Sequence, residues 1–175
     1  MSAVNPYQAP RAALADVAEP HQPVKVFSAA GRIGRARYIA YTIGYSLLIG
    51  LVLGFLGGLL GALTGIAVLG TAAGLLAGVL MLVMMFLLTI QRCHDFNASG
   101  WLSILVLIPL VNLMFWFIPG SEGTNRFGAP TPPNGLFVLI VAWIFPVLAI
   151  VGLIAAIALP AYLGYAQRAQ QAQPR

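Results

Sequence analysis

The chain has 175 residues, of which 60% are hydrophobic and 7% are charged, and its formal net charge at pH 7 is +5. Soluble domains carry roughly 25% charged residues, so a soluble fold that hides this much apolar surface is excluded. Only nine Lys and Arg residues supply the positive charge. Several of them flank apolar stretches, which favours an anionic lipid headgroup over nucleic acid as the partner.

Three stretches without any Asp, Glu, Lys, Arg or His determine the predicted elements. They cover residues 38–91, 100–121 and 127–167. A helix needs about 20 residues to cross a hydrocarbon core about 30 Å thick, so the first stretch has room for two crossings and the others for one each. We therefore predict an all-α membrane protein with about four transmembrane helices, over residues 38–60, 65–90, 101–118 and 136–159.

The N-terminal part of the chain has a different composition. Residues 1–24 are rich in Ala, Pro and Gln and show no periodicity, which predicts a disordered cytoplasmic tail. Residues 25–37 alternate apolar side chains with Arg32, Arg35 and Arg37, and Ser28 is placed to cap a helix. We expect this segment to form an interfacial helix on anionic headgroups.

The first two predicted spans are joined by a short segment at residues 61–64 and should form an antiparallel hairpin. Their glycines recur at four-residue spacing, which produces helix faces without side chains. Such faces let two helices approach closely in lipid, so we interpret the glycines as packing positions. The three runs are Gly50, Gly54 and Gly58, then Gly57, Gly61 and Gly65, then Gly70, Gly74 and Gly78.

The third predicted span follows the polar sequence QRCHDFNASG, in which Ser99 is placed to cap a helix. Pro119 and Gly120 should end that span, and residues 131–175 then supply an additional C-terminal transmembrane helix and a short basic tail. A second interpretation stays open here. Pro109 and Asn112 interrupt the third apolar segment and could turn it into a re-entrant hairpin.

The two interpretations predict different topologies. With four spans, eight of the nine basic residues lie on one side of the membrane and Arg126 lies alone on the other, so the positive-inside rule places both termini in the cytoplasm. With a re-entrant third segment, Arg126 joins Arg92 inside and the C-terminus lies outside.

Three short polar motifs occur in order along the chain. They are FSAAGRIGRARY at residues 27–38, QRCHDFNASGW at residues 91–101 and GTNRFGAP at residues 123–130. Together they resemble the motifs of the domain of unknown function 805 family, small bacterial inner-membrane proteins, over about residues 26–130. The resemblance implies a membrane domain over residues 25–130, located in a bacterial inner membrane, and no established activity. Cys93 stands where that family commonly has a second arginine.

The last apolar segment resembles a different family. VGLIAAIALPAYLGYAQRAQ, residues 151–170, is similar to the later half of the N-terminal helix of type IV pilins, with Pro160 at its proline kink. Val138 and Trp143 occupy the positions where a pilin carries its processing glycine and its acidic residue. We therefore expect neither prepilin cleavage nor pilus assembly.

The favoured function is that of a non-enzymatic, multi-pass inner-membrane protein. Its arginine motifs would contact anionic membrane lipids, or a membrane-protein partner or second copy of the chain, and no nucleic acid. No cofactor, metal ligand or catalytic residue is predicted. The candidate residues for lipid or partner binding are Arg32, Arg35, Arg37, Arg92, His94, Asp95, Asn125 and Arg126.

Two alternative functions remain. A small transporter or channel component would need polar groups from several spans to converge in one cavity, and the spans contain no ionisable side chain with which to drive a proton pump. A membrane enzyme would use Cys93, His94 and Asp95, which it would have to bring together with Arg126 in one pocket. Consecutive side chains on a helix do not face one another, so we favour the non-enzymatic interpretation.

Overall fold

The helices of this protein account for most of residues 21–171, the part of the chain that the computed structural model describes. Within that part there is no strand, although Asn125 and Gly128 form an isolated β-bridge. The elements are α1 (Arg35–Ile49), a π-helical segment (Gly50–Phe55), α2 (Leu56–Thr64), α3 (Ala67–Asp95), a 3-10 helix (Gly100–Leu107), α4 (Pro109–Phe117) and α5 (Leu136–Gln171). The predicted all-α class is confirmed.

The first two long helices form the expected antiparallel hairpin. The first of them is continuous from α1 through the π-helical segment to α2, and it packs along α3. Gly65, at φ +70°, ends α2 in the left-handed conformation that glycine adopts without steric cost. The chain therefore reverses at residues 65–66, slightly later than the predicted 61–64.

Close approach of the hairpin helices is confirmed at some of the predicted glycines. A Cβ atom added to Gly57 would lie 2.1 Å from the Cβ of Ala73, and one added to Gly61 would lie 2.9 Å from the backbone nitrogen of Gly70. Gly58, by contrast, has open space around the position of its missing Cβ. Close packing within the hairpin therefore depends on particular glycines and not on every position of the pattern.

We expect Gly57→Ala to destabilise the hairpin and Gly58→Ala to leave it unchanged or slightly more stable. The added methyl group at residue 57 must push α2 away from α3, and overpacking of this kind costs about 1–3 kcal/mol. At residue 58 the methyl group meets no neighbour, and alanine is the better helix former. Equilibrium unfolding in mixed micelles measures both free energies, and equal effects would contradict the close contact.

The third apolar segment does not form one continuous helix. Ile108, with extended backbone angles, separates the 3-10 helix from α4, and Pro109 begins α4 at a position where its missing N–H is not needed. The N-terminal side of the segment is capped by Ser99, whose hydroxyl accepts from the backbone N–H of Trp101, as predicted.

Both ends of this third segment lie at the C-terminal end of α3. Gly100 is close to the side chains of Ile90 and His94, while Ser121 donates its backbone N–H to the carbonyl oxygen of Asp95 at 2.8 Å. The segment therefore turns back and returns to the end from which it started. The expectation that Arg126 lies opposite the other motifs is wrong, and the re-entrant alternative describes the geometry.

The depth of this hairpin follows from its neighbours on α3. Leu107, at the turn, lines the same cavity as Phe86, which lies nine residues before Asp95, or about 13 Å along the helix axis. That is less than half of a hydrocarbon core about 30 Å thick. Three helices of the described residues are long and apolar enough to cross a membrane, Arg35–Thr64, Ala67–Asp95 and Leu136–Gln171, so the predicted count of four spans is not confirmed.

Helix α5 is the longest element, with 36 residues, and it continues through Pro146 and Pro160. It packs on α1 and on no other helix of the described chain, with Ala142 buried. Most of its apolar side chains are exposed, as expected for a helix surrounded by lipid.

The segment before α1 differs from its prediction. Residues 25–34 form turns, and helix α1 begins only at Arg35, because Gly31 adopts φ +91° and interrupts the helical pattern. Ser28 accepts from the backbone N–H of Ala30 within such a turn and caps no helix. The predicted disordered tail lies almost wholly outside the described residues, and Gln22, near its end, donates to the carbonyl oxygen of Pro130.

Candidate functional site

All three sequence motifs meet at one end of α1 and α3. Residues 25–37, 91–101 and 119–134 form this end, which we call the motif face. The charged side chains of α3 that were predicted as candidates, Arg92, His94 and Asp95, all come from its last turn. Each of them also contacts a residue outside α3, so the other two motifs assemble around the last turn of this helix.

Asp95 is the carboxylate that connects two buried arginines. It accepts from Arg92, three residues earlier on α3, and from Arg32 of the first motif, whose Nη2 lies 3.2 Å from Oδ1. The Arg92 and Arg32 side chains are 0% and 1% exposed. Burial of a charge without a partner costs several kcal/mol, so the shared carboxylate is what makes this pair of guanidinium groups tolerable.

Arg32 also holds the third motif in place. It donates to the carbonyl oxygens of Ser121 at 2.7 Å, Gly123 at 2.6 Å and Gly128 at 3.2 Å. The planar guanidinium group presents five N–H donors in fixed directions, which suits it to a ring of carbonyl oxygens. One side chain therefore joins the first motif to the loop that carries the third.

Arg92 fixes the return of the re-entrant hairpin. Its Nε donates to the carbonyl oxygen of Phe115 at 2.9 Å, and its Nη2 donates to that of Ile118. These carbonyl groups belong to the end of α4, where the helix has no further N–H donors of its own. A Cβ at Gly120 would lie 2.3 Å from Oδ2 of Asp95, so only glycine allows the chain to pass the carboxylate here.

A second set of contacts joins the third motif to His94. The side-chain amide of Asn125 donates to the carbonyl oxygen of His94 at 2.8 Å. The ring of Phe127 stacks on the His94 imidazole, with centroids 3.8 Å apart. Arg126 places its guanidinium group 4.7 Å from the centroid of Phe127 and donates to the carbonyl oxygen of Asn97. Arg126 itself remains exposed.

Gln91 is a residue of the motif face that the sequence prediction did not select. Its side-chain nitrogen donates to the carbonyl oxygens of Lys25 and Ser28, and its own carbonyl oxygen accepts from the backbone N–H of Ile33. The residue is almost fully buried. Its place one turn before Asp95, within a polar island of an otherwise apolar helix, was the signal available in the sequence.

The eight predicted lipid- or partner-binding candidates thus divide by exposure. Arg35 and Arg126 are exposed, His94 and Asn125 are partly buried, and the remaining four are buried: Arg32, Arg37, Arg92 and Asp95. Since Arg32 and Arg92 use their nitrogens within the protein, these two side chains serve the fold and are closed to a headgroup in this conformation. A lipid contact made by the exposed members remains a prediction.

Arg37 is buried but poorly paired. Its Nη2 lies 3.2 Å from the carbonyl oxygen of Pro132 and 3.3 Å from that of Pro133, whereas Nε and Nη1 have no hydrogen-bond partner in the described part of the chain. Replacing a buried ionic side chain by an apolar one of similar length is often neutral or stabilising, whereas removing one partner of a buried ion pair costs about 3–5 kcal/mol.

We therefore expect Arg37→Met to leave the free energy of unfolding unchanged or raised, and Arg92→Met to lower it by about 3–5 kcal/mol. Unfolding of both purified variants in mixed micelles provides the comparison. A loss at Arg37 as large as the loss at Arg92 would mean that Arg37 has a strong partner.

The residues of the enzymatic alternative do not converge. Cys93 is 0% exposed and packs in the hydrophobic core with Ile33, Tyr38 and Leu88. Asp95 lies among the arginines, and His94 lies against Phe127. Within residues 21–171, no group of three or more His, Cys, Asp or Glu side chains could hold a metal ion. The transport alternative stays a hypothesis.

Comparison with known proteins gives one match. The chain matches the family described as "Protein of unknown function (DUF805)" over residues 26–129, which covers more than half of its length and all three motifs except Pro130, the last residue of the third. No curated protein and no solved structure matches the chain.

Proposed function

This chain belongs to the DUF805 family of proteins of unknown function, and from that premise we propose that it is a non-enzymatic bacterial inner-membrane protein whose motif face binds anionic lipid. The observation that carries the proposal is the charge that remains at this face after the buried ion pairs have formed. In this proposal the buried arginines stabilise the fold, and the exposed basic residues bind lipid.

Charge at the motif face is unbalanced. Six cationic side chains lie there, and within residues 21–171 the chain has two carboxylates, Asp95 and Glu122. Asp95 is used by the buried arginines. Lys25, Arg35 and Arg126 are all exposed, and Glu122 is the one exposed carboxylate of the described residues. Anionic headgroups complement such a surface, because basic residues close to a membrane are attracted to acidic lipids.

The same charges support an orientation. The positive-inside rule counts Lys and Arg residues near the ends of membrane spans, and the return of the third segment brings Arg126 to the side that already holds Arg32, Arg35 and Arg92. We therefore propose that the motif face is cytoplasmic. With three crossings instead of four, the end of α5 would lie on the opposite side, which replaces the expectation of two cytoplasmic termini.

Lipid retention tests this proposal. The purified full chain is reconstituted in nanodiscs of equal phosphatidylglycerol and phosphatidylcholine, and the lipids that remain after detergent extraction are counted by native mass spectrometry. We expect enrichment of phosphatidylglycerol, and a several-fold smaller enrichment in the triple variant Lys25→Gln, Arg35→Gln, Arg126→Gln.

The matched control is Arg168→Gln, an exposed cation near the far end of α5. It should retain the full enrichment. Equal retention of the two lipids by the wild-type chain, or an equal loss in the control and in the triple variant, would refute binding at the motif face.

A further inference from the structure

We propose that the groove between α3 and the 3-10 helix holds one anionic phospholipid, with its phosphate at Arg126 and one acyl chain along Ile104 and Phe86. The inference rests on the proposed function, which concerns the motif face as a whole. It adds a single defined site, its lipid class and the residues that would contact each part of the lipid.

The walls of the groove follow from two helical periods. On α3, Phe86, Ile90 and His94 are spaced by four residues and share one face. On the facing element, Trp101, Ile104 and Leu107 are spaced by three, and a 3-10 helix aligns side chains at that interval. The two rows border an open cavity of about 800 Å³.

The deep part of this groove is apolar. Ile104 and Leu107 expose 58% and 54% of their surface, and Trp101, nearer the motif face, exposes 87%. Because the re-entrant hairpin lies at membrane depth, these side chains border the acyl region of a bilayer. A hydrocarbon chain is the occupant that such a wall fits, and an inorganic anion gains nothing from it.

The shallow end of the groove is polar and is bordered by His94. Nδ1 of His94 lies 3.1 Å from the carbonyl oxygen of Gly31. Since a carbonyl oxygen only accepts, Nδ1 carries the proton, and Nε2 of the neutral ring can accept a hydrogen bond. Nε2 is directed at the space beside Gly100, where a Cβ would lie only 3.2 Å away.

Arg126 completes that end. One of its nitrogens donates to Asn97, and its guanidinium group, the Phe127 ring and the His94 ring stack in that order. Among residues 21–171 the other guanidinium nitrogens have no hydrogen-bond partner, so they can donate to a phosphate, whose oxygens Arg binds in charge-assisted pairs. No acidic residue lines the groove, so its charge is complementary to an anionic headgroup. Its apolar wall is complementary to an acyl chain.

The test uses the full-length protein in detergent, delipidated and then titrated with phosphatidylglycerol under native mass spectrometry. We expect one lipid to bind more tightly than the rest. Ile104→Trp fills the groove and should weaken that first binding event by about tenfold or more. Leu102→Trp adds the same bulk to the same 3-10 helix, at a residue that does not line the groove, and should leave binding unchanged.

A second variant removes the headgroup contact without filling the groove. Arg126→Gln should weaken the first binding event by about tenfold, the loss of one charge-assisted contact, and should reduce the preference for phosphatidylglycerol over phosphatidylcholine at this site. Because Arg126 is exposed, this variant is expected to fold even if Ile104→Trp does not. Inorganic phosphate should fail to displace the lipid.

The outcomes separate the two proposals. Tight binding that survives both Ile104→Trp and Arg126→Gln would overturn the groove site, while a remaining preference for anionic lipid, lost on removing Lys25 and Arg35, would leave the motif-face proposal intact. Displacement by inorganic phosphate, or equal first binding of phosphatidylcholine, would overturn the assignment of an anionic phospholipid. No preference for anionic lipid at any stoichiometry would overturn both proposals.

Discussion

Asp95→Ala is expected to lower the free energy of unfolding by about 3–5 kcal/mol, because it leaves two buried guanidinium groups without a counterion. Arg32 and Arg92 cannot turn to water without releasing the carbonyl groups that they hold at the ends of the third segment. Equilibrium unfolding of the purified protein in mixed micelles measures the loss.

Two other variants make this result interpretable. Glu122→Ala removes the exposed carboxylate next to Ser121 and should change the free energy of unfolding by less than about 0.5 kcal/mol, as surface substitutions do. Asp95→Asn keeps the shape and one acceptor but loses the charge, and its loss should be smaller than that of Asp95→Ala. Similar effects of Asp95→Ala and Glu122→Ala would show that the buried pairs do not stabilise the fold.

Arg32→Lys is expected to release the loop of the third motif even though it preserves the charge. A lysine has its donors on a single nitrogen, so it cannot reach Asp95 and the carbonyl oxygens of Ser121 and Gly123 at the same time. Each lost hydrogen bond to a charged group is worth about 1.5–3 kcal/mol. The free energy required to open the loop locally should therefore fall by roughly 3 kcal/mol or more.

Hydrogen exchange of residues 121–130 measures that opening. The backbone N–H groups of Ser121, Asn125 and Gly128 are hydrogen-bonded in the closed loop, and their exchange should accelerate by on the order of 100-fold in Arg32→Lys. Arg35→Lys is the matched control, since Arg35 is exposed and three residues away. Unchanged exchange in Arg32→Lys would show that another contact holds the loop.

Hydropathy predicted the parts of the fold that depend on contact with lipid. The uncharged stretches placed the hairpin of α1 to α3 and the start of the last helix within a few residues of their observed positions, whereas α5 continues to Gln171, 12 residues past its predicted end at residue 159. Hydropathy reports whether a segment tolerates lipid and not whether it crosses the bilayer, so it could not decide the path of residues 101–118. Pro109 was the available signal, and the hydrogen bonds of Arg92 to the end of α4 show why the segment returns.

The sequence motifs located the residues of the candidate site, but they did not show which of those residues are buried and which are exposed. Basic residues beside apolar spans are typical of lipid contacts, and that pattern is the same for Arg35, which is exposed, and for Arg32, which is buried. What separates them is the distant carboxylate of Asp95, 63 residues away from Arg32 in the chain. A single sequence contains no signal for such a pairing. Gly31, whose positive φ interrupts the expected interfacial helix, was a signal that the pattern did contain.

The convergence of the three motifs on one side of the membrane is the central claim, and cysteine accessibility in intact cells tests it most directly. With Cys93→Ser as background, single cysteines are placed at Ala29, Thr124 and Ile66, all exposed. An impermeant maleimide should label Ala29→Cys and Thr124→Cys only after lysis, and Ile66→Cys, at the opposite end of the hairpin, in intact cells. Labelling of Thr124→Cys from the side opposite to Ala29→Cys would contradict the account, because the third segment would then cross the membrane.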